Sequence, residues 1–184
     1  MKEGISTKRI STFRIILTAL FAALICVATM LVQIPIPATG GYANLGDGII
    51  LICAFLMHPP YAVIAAGLGS MLADLLTGYI AYVPGTLLIK AGAALIAAWV
   101  FNRFSGRKTH VLAIVILASI LAEAFMVLGY FFYEAIVMGM GLGAAGAVIG
   151  NIGQGAVGCI IACIASPVLI RSDKIHELME KTKK

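Results

Sequence analysis

Charged side chains are scarce in this sequence. Asp, Glu, Lys and Arg make up 11% of its 184 residues, against about a quarter in a soluble domain, which excludes a water-facing surface over most of the molecule. Metal and redox motifs are missing too. The four cysteines, Cys26, Cys53, Cys159 and Cys163, sit inside apolar runs with no CxxC pair and no histidine at ligand spacing, so they read as small buried hydrophobes. There is no GxSxG, HExxH, Walker A motif or DxxxD cluster, and His58, His110 and His176 fall at the predicted cytoplasmic edges of apolar segments, far from the acidic residues within those segments. Neither catalysis nor a resident metal or cofactor is expected. The net charge of +5 does not point to nucleic acid, because the basic residues cap apolar segments instead of forming a stripe with interleaved aromatics.

What the chain does have is apolar length: 61% hydrophobic residues and a mean hydropathy of +1.05. At about 20 residues per bilayer crossing this is room for five to seven helices and little else. The basic opening and the apolar run 15–32 resemble a signal peptide, but the run is long and no A-x-A site follows, so it is kept as the first helix. Pro35, Pro37, Gly40 and Gly41 then open what reads as an irregular loop through Asn44. Residues 48–73 carry no charge, yet His58-Pro59-Pro60 interrupts them. Two prolines remove two backbone donors, so two helices are predicted, near 47–58 and 60–77. Three more follow near 84–104, 110–135 and 144–170.

Six helices put both ends on one side. Every Lys and Arg except Lys90 then lies there, from Lys2, Lys8, Arg9 and Arg14 through Arg103, Arg107 and Lys108 to Arg171, Lys174, Lys181, Lys183 and Lys184, which is the positive-inside pattern of a chain with N and C termini in the cytoplasm. The predicted fold is an all-α membrane protein: a cytoplasmic segment 1–14, a six-helix transmembrane bundle 15–170 and a cytoplasmic tail 171–184. The second helix is the weak point. A dozen residues reach only about 18 Å, so it must be tilted, locally mismatched or continued by the loop before it.

Small residues recur at helical spacing: Ala19 and Ala23 in the first helix, Ala65, Gly69 and Ala73 in the third, Gly146 and Gly150 in the sixth. Such spacing lets helix backbones approach closely in lipid. The third and sixth helices are expected to use it for packing within the chain, and the first either for that or for a separate membrane partner.

Polar groups within a bilayer need partners or a cavity. Asp47, Asp74, Lys90, Glu134, Asn151 and Gln154 all map to the outer half of the predicted bundle, with Glu123 deeper; Tyr42, Tyr79, Tyr82 and Tyr130 join them. Glu123, Val127, Tyr130 and Glu134 form one helical stripe, which should face inward. Plainer roles compete: Asp47 as a helix cap, Asp74 and Lys90 as a structural ion pair, the tyrosines as an interfacial belt. Those roles explain poorly why all the groups gather on one side. An outward-facing pocket for a small polar, aromatic molecule explains it directly.

Asn44-Leu45-Gly46-Asp47, Gly67-Leu68-Gly69-Ser70, Ala73-Asp74-Leu75-Leu76-Thr77-Gly78-Tyr79, Tyr82-Val83-Pro84-Gly85-Thr86 with Ile89-Lys90, Gly129-Tyr130-Phe131 with Glu134, and Asn151-Ile152-Gly153-Gln154 occur in an order and spacing that resembles the substrate-binding S component of an energy-coupling factor (ECF) transporter. The likeness is to the riboflavin-transporter-like branch, which includes proteins for pyridoxine and hydroxymethylpyrimidine. The resemblance implies a six-helix bundle in a prokaryotic cell membrane that captures a vitamin and is energised by a transmembrane coupling protein and two ABC-type ATPases. It further implies that Ala19 and Ala23 contact the coupling protein, that the loop from Pro35 to Asn44 gates the pocket, and that the bundle topples to release its cargo. Vitamin B6 or hydroxymethylpyrimidine is the first expectation for the ligand and riboflavin the second. The competing class is a self-contained secondary transporter or channel for a small polar solute, suggested by Asp74, Lys90 and Glu123 within the bundle.

Overall fold

A computed structural model describes residues 12–105, 110–173, 175 and 177. Lys2, Lys8, Arg9, Arg107, Lys108, Lys174, His176, Lys181, Lys183 and Lys184, and with them most of the expected cytoplasmic segments, lie outside the described residues.

The described residues form six α-helices: α1 (Thr12–Leu31), α2 (Gly46–Leu56), α3 (Pro59–Thr77), α4 (Val83–Phe104), α5 (Val111–Phe132) and α6 (Ala145–Arg171). Five of the helical segments are long and apolar enough to cross a bilayer, and α2 is the shorter exception. Large apolar side chains such as Ile16, Leu88, Trp99, Ile149 and Val168 point outward, a surface suited to lipid or to another membrane protein. The chain breaks where the prolines require it. His58 is extended (φ −63°, ψ 137°), and Pro59 and Pro60 occupy the first turn of α3, where their missing N–H groups cost nothing. α3 stops at Gly78, whose φ of +87° is open to glycine at little cost.

The short α2 resolves differently from any of the expected adjustments except the last. Its eleven residues rise about 16 Å, and nine of them are buried. It contacts α1, α3, α4 and α6, so protein sheathes it and a bilayer-matched length is no longer demanded. The segment before it continues it, but as an ordered hairpin instead of the irregular loop expected. β1 (Gln33–Ile36) pairs antiparallel with β2 (Gly41–Asn44), with Pro35 opposite Tyr42. A two-stranded ribbon has no central strand, so a proline is tolerated. The turn is closed by the Thr39 and Gly40 N–H groups, which donate to the Ile36 carbonyl at 3.2 and 3.0 Å. A second departure follows α5, whose end is a π-helical turn, Tyr133–Val137, and a 3₁₀ turn, Gly141–Ala144, leads into α6.

Small residues do pack α3: Ala65, Gly69 and Ala73 are buried, and a Cβ on Gly69 would run into the backbone of α1 at Ala22. Gly69→Ala should therefore push two helix backbones apart and destabilise the protein by about 1–3 kcal/mol, read as a lower thermal midpoint in detergent; an unchanged midpoint would show that the α1–α3 contact is looser than drawn. Gly146 and Gly150 also pack within the chain, but against the hairpin and not against a helix. They leave space for Ala38 and Ile36 of the hairpin, so this face of α6 seats the hairpin instead of another helix.

Candidate functional site

Polar side chains gather at the hairpin end of the bundle because the start of α2, the end of α3, the start of α4, the end of α5 and the start of α6 all meet there. The centre is an ion pair. Lys90 Nζ donates to Asp47 Oδ1 at 2.5 Å, with 2% and 3% of the side chains exposed. Neither plainer role proposed for these residues is what the structure shows. Leu45 is the N-cap of α2 and Asp47 lies within its first turn, its carboxylate bonded to Lys90 and Gln154; Lys90 pairs with Asp47, not Asp74, because α2 stands inside the bundle beside α4.

The pair is tied to the hairpin by a chain of hydrogen bonds. Gln154 Nε2 donates to Asp47 Oδ2 at 2.6 Å, Gln154 Oε1 accepts from the Asn44 N–H at 2.7 Å, and Asn44 Oδ1 accepts from the Gly46 N–H at 2.9 Å. Gly155 and Gly158 on α6 give the room for this. Cβ atoms there would lie 3.0 Å from Glu123 Cβ and Asp47 Cβ respectively. Glu123 is thus brought against the Asp47–Lys90 pair, and Asn151 is buried one turn from Gln154. The stripe on α5 faces inward, with Glu123 and Tyr130 buried and Val127 half-buried.

The tyrosines hold the hairpin down. Tyr42 donates to Asp74 Oδ1 at 2.5 Å, and its ring lies 4.4 Å from that of Tyr79, centroid to centroid. The Tyr82 hydroxyl sits 3.0 Å from both the Thr39 carbonyl at the hairpin tip and Glu134 Oε1 in the π-turn. Burial, and then the Asp74 carboxylate, push the Tyr42 phenol above its ordinary range; burial does the same for Tyr82. Both therefore remain donors at physiological pH. Tyr130 shares a 2.9 Å hydrogen bond with Thr86, and Lys90 Nζ lies 5.4 Å from the Tyr130 ring centroid.

Beneath the hairpin lies a cavity of about 20 Å³ lined by ten residues. Six of them, Tyr42, Asn44, Asp74, Tyr82, Lys90 and Tyr130, are residues the sequence pointed to. Asp47, Gln154, Glu123 and Glu134 stand behind these, Tyr79 stacks outside on Tyr42, and Asn151 does not line the cavity. Four lining residues, Thr29, Gly41, Ser70 and Thr86, escaped the sequence reading. Ser70 and Thr86 were visible as members of motifs, but Thr29 carried no signal beyond a hydroxyl in an apolar helix.

Residues 9–171 match the family model for the S component of the ECF-type riboflavin transporter. The chain belongs to the ECF transporter S components. These are substrate-binding subunits, not enzymes, that work with membrane coupling and ATPase subunits to take up vitamins. The fold agrees: this S component superposes on a structure described as that of the S component of a bacterial ECF transporter with a TM-score of 0.62 and 20% identity, over 93% of this chain and 98% of the other. It is also 39% identical over 117 residues to an uncharacterised protein in gap 3' region from Pyrococcus woesei, an alignment spanning 64% of this chain and 75% of that one.

Proposed function

We propose that this S component sits in a prokaryotic cell membrane, crosses it six times with both ends in the cytoplasm, and captures a vitamin or vitamin precursor from outside beneath the β1–β2 hairpin. The observation that carries this is the small cavity at one end of the bundle, lined by Tyr42, Tyr82, Tyr130, Asp74 and Lys90, while Arg14, Arg103 and Arg171 lie at the other ends of their helices. The cavity has room for about one water, so the hairpin is the lid that must lift to admit a ring. Opening breaks the Tyr42–Asp74, Tyr82–Thr39 and Asn44–Gln154 hydrogen bonds. Release on the inner side falls to a transmembrane coupling protein driven by two ABC-type ATPases, with Ala19 and Ala23 at the docking face.

Riboflavin moves to first place among the ligands because the matching family model is named for it. Vitamin B6 and hydroxymethylpyrimidine, which the sequence reading put first, come next. Titration of the purified protein with these three should give one dissociation constant at or below about 1 μM, equivalent to about −8 kcal/mol. Binding of none of them would overturn the vitamin reading. Uptake into liposomes that hold this chain alone would replace it with a self-contained secondary transporter or channel.

A further inference from the structure

A ring as small as benzene occupies a cavity of about 150 Å³, and the space beneath the hairpin is about 20 Å³. Lifting the hairpin admits a ligand, but closing it again over a ring requires a wall of the cavity to give. The helical walls are backed by packed protein. Ser70 and Asp74 stand on α3, whose Gly69 lies against the backbone of α1, and Lys90 on α4 is bonded to Asp47 on α2. Such walls move only at the expense of the contacts behind them. The hairpin wall differs. Beside it lies a second, apolar cleft of about 310 Å³ on the flank of the bundle, lined by Val32 at the end of α1, Ile34, Leu45, and Gly153 and Val157 on α6; Asn44 lines both spaces. A cleft of similar size against α4 and α5, at Leu88 and Phe132, shares no residue with the cavity.

The two ends of the hairpin are held unequally. Its outer part is fixed by the Tyr42–Asp74 and Tyr82–Thr39 hydrogen bonds, and Ile36 and Ala38 rest on Gly150 and Gly146. Its base, where Gln33 pairs with Asn44, is tied to the helices by side chains. The Asn44 N–H donates to Gln154 Oε1 at 2.7 Å, and Gln33 Nε2 donates to Thr77 Oγ1 at 3.4 Å, which is long for a hydrogen bond. Both glutamine side chains can follow or let go without any helix moving. We infer that a ring is accommodated by sideways displacement of the hairpin base into the cleft, with Gln33 and Asn44 as the moving wall, Gln154 as its latch and the cleft as the reserve volume of the site. This deepens the vitamin-capture reading and rests on it.

The test uses the full purified chain and two readouts, affinity for riboflavin, vitamin B6 and hydroxymethylpyrimidine, and amide hydrogen exchange without ligand. Gly153→Phe fills the cleft and leaves the cavity alone: Gly153 does not line the cavity, and nothing lies within 4 Å of the position its Cβ would take. With the displaced wall as the binding-competent state, the variant makes that state rarer, and apparent affinity falls in proportion to its population. Exchange at the Asn44 amide, which needs the same opening, falls by the same factor. Both should drop by at least about tenfold. Exchange at Gly40, whose N–H is bonded within the hairpin tip, should stay as in the wild type, and Ile160→Phe, on the exposed face of α6 outside the cleft, should change neither readout. Val157→Ala widens the cleft and should quicken exchange at Asn44; it decides the matter if Gly153→Phe does not fold. Unaltered exchange and affinity in Gly153→Phe would overturn the inference. So would equal slowing at Asn44 and Gly40, which would mean that the hairpin moves as one piece, or lost affinity with unaltered exchange, which would mean that the new side chain acts on the ligand directly. The stated exchange response in a protein that binds none of the three vitamins would leave the moving wall standing and sink the vitamin reading.

Discussion

Lys90→Met should abolish ligand binding and reduce the yield of folded protein more than any other single change in the site. Lys90 and Asp47 are both nearly inaccessible and bonded at 2.5 Å. Removing one member of a buried ion pair leaves the other charge unpaired, which typically costs about 3–5 kcal/mol, a large part of the roughly 5–15 kcal/mol by which proteins are stable. The damage should spread through Gln154, which bonds Asp47 on one side and the hairpin backbone at Asn44 on the other. Adding Asp47→Asn removes the unpaired charge and keeps an oxygen for Gln154. The double variant should recover most of the monodisperse yield on gel filtration in detergent while still failing to bind, because the ammonium that borders the cavity is gone. A Lys90→Met protein that folds and melts like the wild type would mean that the pair is hydrated and that its burial has been misjudged.

That the pair joins α2 to α4 is also where sequence reasoning reached its limit. The sequence places Asp47, Asp74 and Lys90 at the same end of the bundle, because their distances from the prolines and the terminal arginines set their depth. It does not set which way each helix is rotated or which helix stands in the middle. The sequence reading therefore weighed Asp74 as the partner of Lys90 and Asp47 as a helix cap, and the central position of α2 gives Lys90 to Asp47 instead. The proline pair at Pro59 and Pro60 predicted the α2–α3 break well, since the loss of backbone donors is a local effect. The hairpin was illegible for the opposite reason: four-residue strands containing Pro35 have little local preference, and their pairing is sustained by the Gly146–Gly150 face of α6 and by Tyr42 and Tyr82. Thr29 and Ser70 were missed because a hydroxyl in a run of small residues has the same sequence signature whether it packs a helix or faces a cavity. The family resemblance named the S-component family correctly, and the proposed order of vitamins changed because the matching family model is named for riboflavin.

Ala19→Leu should leave vitamin binding intact and abolish uptake. One face of α1, with Ala22, Ile25, Cys26 and Thr29, lies against the bundle, and Ile25 packs close to Gly69 on α3. The other face is exposed and includes Ile15, Ile16, Ala19, Leu20, Ala23 and Val27. Small residues on that outer face do nothing for packing within the chain, but they allow a second helix backbone to come close, where an intervening leucine side chain would hold it off. Thr29, the contribution of α1 to the cavity, is ten residues and so about 15 Å along the axis from Ala19, far enough that the substitution should not be felt there. Binding to the purified variant should match the wild type within about twofold, the scatter allowed by an energy change of a few tenths of a kcal/mol. ATP-driven uptake in liposomes containing the coupling protein and ATPases should fall to background, whereas Ile64→Leu, on the exposed face of α3, should transport normally. Normal transport by Ala19→Leu would remove Ala19 and Ala23 from the docking face, and a joint loss of binding and uptake would mean that α1 had been displaced from α3.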